Sequence, residues 1–293
     1  MKVIVRFLLT WGKEIATLKL MNKNNSGQAL VLVLLSLSVV LTLILYLLSR
    51  SITDVAVSSR QEESVRAFSA AEAGVERALV TGADNSDLNI GYTAKVTGYA
   101  ENSAEYIYPT PLASGDWATI WFIGHDAIGN FTSTGAFTGN QMKICWGNDG
   151  SNPAIEVTVY YATSSTTVQI ARAAFDPDFL TRSPSNSFDP PEDGTCNIAG
   201  TVFDSQADIV FSSFLPPITN RTGLLFAKIK MFYNDTPQRI GVKVSGGTLP
   251  SQGQDISSTG TAGESNRRIS VFRGWPEFPF ASDALFSPNA ITQ

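Results

Sequence analysis

The sequence holds a single histidine, two cysteines and no proline before residue 109. Each scarcity excludes something. With one histidine, a zinc site is hard to assemble from the usual ligands, and any imidazole-based acid–base scheme must use His125, which stands beside Asp126 and reads as a turn residue. There is no Gly-x-Ser-x-Gly elbow, no His-Glu-x-x-His and no phosphate-cradling glycine loop. Ser–Lys and carboxylate-pair chemistry stay open, because those residue types are common. The expectation is a non-enzymatic protein with no cofactor. Two cysteines exclude a disulfide-dense scaffold but allow one bond. Cys145 and Cys196 would close a loop with 50 residues between them, and two free thiols are the alternative. The missing prolines leave the first third of the chain free to be helical.

What the chain does have is one long uncharged apolar run, residues 29–48. Twenty helical residues extend about 30 Å, the thickness of a bilayer's hydrocarbon core. Ahead of it, residues 1–27 carry five basic side chains (Lys2, Arg6, Lys13, Lys19, Lys23) against Glu14 alone, whereas residues 28–293 carry 16 basic and 25 acidic ones. A basic flank before the span places the N-terminus in the cytoplasm and the acidic body outside, where a disulfide is permitted. The acidic body argues against strong non-specific nucleic-acid binding. Met21, followed by Asn22-Lys23-Asn24-Asn25-Ser26-Gly27, is an alternative start that would give a compact basic leader. Ser49-Arg50-Ser51 matches a secretory cleavage site poorly. Gly27-Gln28 lies before the run instead, so cleavage there would leave the apolar helix on the mature protein as an anchor.

The helical pattern continues beyond the run. Val65, Phe68, Val75 and Leu79 share one face, with Ala71 between them, and Glu62 and Glu63 lie at pairing distance from Arg66. Gly82 and Asp84-Asn85 supply a stop. The spacing predicts one helix over 28–80, apolar first and amphipathic later.

A glycine, an uncharged apolar helix running on into an amphipathic half, and then a β-rich body resemble the layout of type IV pilins and pseudopilins. More specifically, residues 67–78, Ala-Phe-Ser-Ala-Ala-Glu-Ala-Gly-Val-Glu-Arg-Ala, resemble the N-terminal domain of PilX-type pilus assembly proteins, where an Ala-Ala-Glu-Ala-Gly-like run ends the long helix. The likeness covers residues 27 to about 79. It implies processing between Gly27 and Gln28 by a prepilin peptidase, storage in membrane lipid, and assembly with other pilin subunits through a helix that includes Leu32, Val65, Phe68, Glu72, Val75 and Leu79. Most pilins carry a glutamate at the fifth mature position, thought to pair with a neighbour's amino terminus. Counting from Gln28, that position is Leu32, which argues against a major polymer-forming subunit and is compatible with a minor one at a tip or in an initiating complex.

From residue 90 the composition turns to Thr, Val, Ile, Phe, Tyr, Gly and Pro, as in an extracytoplasmic β domain. Strands are predicted at 92–99, 119–123, 141–146, 155–161, 167–174, around 209–211, 224–233, 240–244 and 267–273. Residues 181–200 read as a proline-rich loop, and 248–265, rich in Gly, Ser, Thr and Gln, as a mobile loop. The fold class is therefore α+β: a long transmembrane and amphipathic helix, then a sheet or sandwich over 90–293.

Two acidic turns, 84–87 and 148–151, have oxygen ligands of the kind calcium takes, but neither completes a loop motif, and solvated turns explain them. Arg267, Arg268 and Arg273 with Trp275 form a basic–aromatic cluster that would suit DNA, a glycan or a partner subunit; a charged edge strand protected from aggregation explains it equally. The expected function is a minor pilin-like subunit on the cell surface, in a pilus or in a secretion pseudopilus. The alternative is a membrane-anchored glycan-binding or hydrolytic protein whose helix is only a signal anchor.

Overall fold

The computed structural model describes residues 28–148, 150–164 and 167–277. The leader, Gly27 and Met21, Asp149 of the second acidic turn, and the tail after Glu277 lie outside the described residues. The chain divides into two compact units, residues 1–61 and 62–293. Helix α1 runs Gln28–Thr81 and contributes to both.

In the first unit, the apolar part of α1 has every large side chain exposed, from Leu30 to Leu48. It is long and apolar enough to cross a membrane. Its serine and threonine hydroxyls are satisfied within the helix. Ser36, Ser38 and Thr42 donate to the carbonyls of Val33, Leu35 and Val39 at 2.8–2.9 Å, so these three donors do not need water.

The second unit holds residues 62–81 of α1 and the β strands. α1 ends where Gly82 takes φ +63° and donates its N–H to the Ala78 carbonyl, a left-handed cap that L side chains resist.

Three four-stranded sheets follow, and every pairing between their strands is antiparallel. The first has the order β1 (Asn85–Asp87), β2 (Tyr92–Gly98), β15 (Gly253–Ala262), β16 (Ser265–Gly274). The second has β12 (Ser205–Val210), β7 (Gln141–Trp146), β14 (Ile240–Ser245), β3 (Glu105–Ile107). The third has β4 (Trp117–Trp121), β13 (Leu224–Phe232), β8 (Ala154–Ala162), β9 (Val168–Phe175). Two short ribbons, β5 (Gly124–His125) with β6 (Phe131–Thr132) and β10 (Cys196–Ile198) with β11 (Thr201–Phe203), complete the set.

The second and third sheets pack face to face as a sandwich. Met142, Ile144, Ile209, Val242 and Val244 from one meet Ile120, Ile155, Val157, Val159 and Ile229 from the other in a single buried cluster. Alternation within each strand puts these residues inside and their neighbours outside.

Two loop expectations are corrected. Residues 248–265 are not a mobile loop. Most of them form β15, which pairs along its length with β16 and with β2. Its small polar residues are there because a helix lies against one of its faces. Residues 181–200 are likewise not all loop: α2 covers Phe179–Asn186, and Cys196 opens β10.

Candidate functional site

The site with most built into it is the seam between residues 62–81 of α1 and the first sheet. At 100° per residue, Ala67, Ala70, Ala71, Gly74, Val75 and Ala78 share one side of the helix, and all six are buried. They meet Tyr92, Ala94 and Ile256, with Ile269 and Val271 packed alongside. The approach is close enough that two glycines are required. A Cβ on Gly260 would fall inside the Ala67 carbonyl oxygen and the Ala71 amide nitrogen, both helix backbone. A Cβ on Gly74 would strike the Ser258 hydroxyl and lie 2.7 Å from the Tyr92 ring. The Ala-Ala-Glu-Ala-Gly run is thus the face that lets helix and strand backbones come together.

Polar contacts fix the register of the seam. Glu63 accepts the Glu264 N–H at the β15–β16 turn. Arg267 donates to the Ser64 hydroxyl at 2.6 and 2.9 Å, and Arg273 donates to the Leu79 carbonyl at 2.8 Å. Of the two expected partners of Arg66, Glu62 pairs with it and Glu63 is used at the turn instead.

The expected apolar face of the helix divides in its burial. Val75 is buried and Leu79 half-buried, but Val65 and Phe68 are exposed, at 60% and 46%. Val65, Phe68, Glu72 and Leu79 lie within about 60° of one another, beside the alanine face and not on it. Glu72 is exposed in that stripe with no ion pair among the described residues. Leu32, in the first unit, is 67% exposed.

The basic–aromatic cluster does not gather on one surface. Arg267 and Arg273 are spent on the helix, Arg268 reaches the Ser257 hydroxyl at 2.7 Å, and Trp275 is buried. Trp275 stacks on His125 at 4.7 Å and donates its indole N–H to the Ser251 carbonyl. His125 is not an open turn residue. It sits in β5, against Trp121 and Phe131 as well as Trp275. Burial among these rings lowers its pKa to about 4, with Asp126 opposing. Neither ring nitrogen has a hydrogen-bond partner among the described residues.

Cys145 and Cys196 are joined in a disulfide. It fastens the β10–β11 ribbon to the second sheet on the face away from the sandwich core, with Ile198 and Phe203 packed beside it and Ile107 against them. Gly241 makes room, since a Cβ there would lie 2.9–3.0 Å from the Phe203 and Ile198 side chains. On the first sheet, the face opposite the helix forms a depression of about 560 Å³ lined by Thr93, Lys95, Thr97, Asp255, Ser257, Thr259, Arg268 and Ser270.

Among the described residues no three His, Cys, Asp or Glu side chains are grouped to hold a metal ion. The first acidic turn uses its carboxylates internally: Asp84 accepts the Val96 N–H, and Asp87 those of Asn89 and Ile90. The glycine-to-helix approach at Gly260 had one signal in the sequence, the small residues at alternate positions 258 and 260. Neither a protein-family model, nor a curated protein, nor a solved structure matches the chain.

Proposed function

We propose that the chain is a minor pilin-like structural subunit: its apolar helix stores it in the bilayer, and its β-rich body is displayed outside the cytoplasm. One observation carries this reading. The same helix has an uncharged apolar stretch and then a two-sided stretch, with small residues seated on its own sheet and Val65 and Phe68 left exposed. A signal anchor needs only the first stretch. A subunit that leaves lipid for a helix bundle needs the second, because exposed apolar side chains must find neighbours. Leu32, where most pilins have glutamate, supports a minor position at a tip or in an initiating complex.

Site-directed cross-linking tests this. The native cysteines are both in the disulfide, so an introduced thiol is unique. In cells making filaments, Val65→Cys and Phe68→Cys cross-link to other pilin subunits, whereas Ala71→Cys, on the buried face, does not. Absence of cross-links at 65 and 68 in filament-forming cells contradicts the proposal.

A second reading, an anchored glycan-binding protein, draws on the hydroxyl- and charge-lined depression of the first sheet. It predicts saturable glycan binding that is lost in Lys95→Ala.

A further inference from the structure

Strand β16 is a ten-residue edge. Its pairing with β15 runs from Gly253↔Gly274 to Ala262↔Ser265 with no bulge, and it contains no proline. Among the described residues, none of its backbone groups bonds to anything outside that ladder. Long, flat, unpaired edges are templates for a further strand, and proteins normally blunt them with bulges, prolines or a covering element. Here only charge is available, and two of the three arginines, Arg267 and Arg273, are turned onto the helix. The first sheet's other edge, β1, is three residues long.

The charge on this edge is one-sided. Ser265–Gly274 has three arginines and no acidic residue, in a body where acidic residues outnumber basic ones. None of the three has a carboxylate within ion-pair distance among the described residues, whereas Arg66, Lys143, Arg172, Arg182, Lys228 and Lys243 each have at least one. Among the described residues the three guanidiniums bond only to neutral oxygens: the Ser64 hydroxyl, the Ser257 hydroxyl and the Leu79 carbonyl. Among the described residues all three therefore lie without a carboxylate partner beside a row of backbone donors and acceptors that no further strand pairs.

We propose that β16 is a docking edge for an extended acidic segment of a different polypeptide, which joins the sheet as a fifth strand. Main-chain bonds to β16 hold such a segment, and side chains at alternate positions select it. Carboxylates are expected opposite Arg267, Arg268 and Arg273, and apolar residues opposite Ile269 and Val271. A second copy of this chain fits less well. Its acidic edge, β1, has three residues to offer, and the Asp84 and Asp87 carboxylates already accept backbone N–H groups.

The test uses the full chain in detergent micelles and a capped nine-residue peptide, Thr-Glu-Thr-Val-Thr-Val-Glu-Glu-Thr, designed to run antiparallel to residues 266–274. Fluorescence anisotropy measures binding and hydrogen exchange reads the β16 amides. Expected results are saturable binding, slowed exchange confined to 265–274, and a loss of at least about tenfold in affinity for Arg268→Glu. The same peptide N-methylated at alternate residues does not bind. A peptide with lysine in place of its seventh residue, the glutamate opposite position 268, recovers binding to Arg268→Glu, which separates lost charge from lost fold, and Arg268→Gln gives an intermediate affinity. No binding overturns the proposal. So does binding that survives N-methylation, which would be a charge contact only, and so does protection of the same amides by self-association of the chain without peptide.

Discussion

Substituting Gly260 by alanine decides whether the helix–sheet seam is as tight as described. In a strand interior, glycine to alanine ordinarily stabilises, by roughly 0.5–1 kcal/mol, because glycine loses more backbone freedom on folding. Gly260 is not in the left-handed region, so that gain should apply. The new Cβ, however, would press on the Ala67 carbonyl oxygen and the Ala71 amide nitrogen and lie 3.1 Å from the Ala67 carbonyl carbon. Carbon atoms pack best at about 3.5–4.0 Å. These are helix backbone atoms that no rotamer change can move, so the helix must lift. Overpacking of this kind costs about 1–3 kcal/mol, and lifting also loosens the buried row Ala67, Ala71, Gly74 and Ala78. The expected net loss is about 1–2 kcal/mol, a fall in Tm of roughly 2–8 °C for a unit of this size. Gly74→Ala meets side chains instead, Ser258 and Tyr92, and is expected to cost about half as much. Thermal unfolding of the full chain in micelles, followed by near-ultraviolet circular dichroism, gives both numbers. A Gly260→Ala protein as stable as the parent, or more stable, refutes the close-approach argument.

Reducing the Cys145–Cys196 bond, or replacing both cysteines with serine, is expected to lower stability by about 4 kcal/mol on the chain-entropy estimate for a loop of this length; the shift in the urea midpoint measures it. His125 is the chain's one histidine, so its carbon-bound proton resonance can be followed alone, and it should titrate near pH 4. Because its folded pKa lies below the unfolded value of about 6.5, the unfolded chain binds the extra proton, and stability should fall as pH drops from about 6.5 to about 4. His125→Phe should flatten that window. Glu277 accepts bonds from Thr119, Trp117 and Lys228. Burial raises its pKa, but these donors outweigh that and hold it below the usual value. Glu277→Gln should cost about 1–3 kcal/mol, read as a loss of Tm at neutral pH that vanishes below the carboxylate's titration. Leu41→Arg, at the middle of the apolar run, should cost about 3–4 kcal/mol of insertion free energy and shift the protein out of the membrane fraction.

Large apolar residues made most of the fold readable. The run 29–48, the helix stop at Gly82 and the core strands β4, β7, β8, β13 and β14 all announce themselves by length or alternation. β15 did not. One of its faces is hydroxyls, and the other, Ser258 and Gly260, is small because a helix rests on it, so no hydrophobic period survives. The same physics hides the seated face of α1. Val65 and Phe68 are the conspicuous side chains, but the face bound to the sheet is the inconspicuous one, Ala67, Ala71, Gly74 and Ala78, since closeness there requires smallness. His125 looked like a turn residue because its ring partners, Trp121, Phe131 and Trp275, come from three separate stretches of chain.

The most direct test of the proposed role is the mature N-terminus, read by mass spectrometry on protein from native membranes with and without prepilin peptidase. A pilin-like subunit starts at Gln28, and that start depends on the peptidase. An intact leader under both conditions would contradict it and leave α1 a signal anchor.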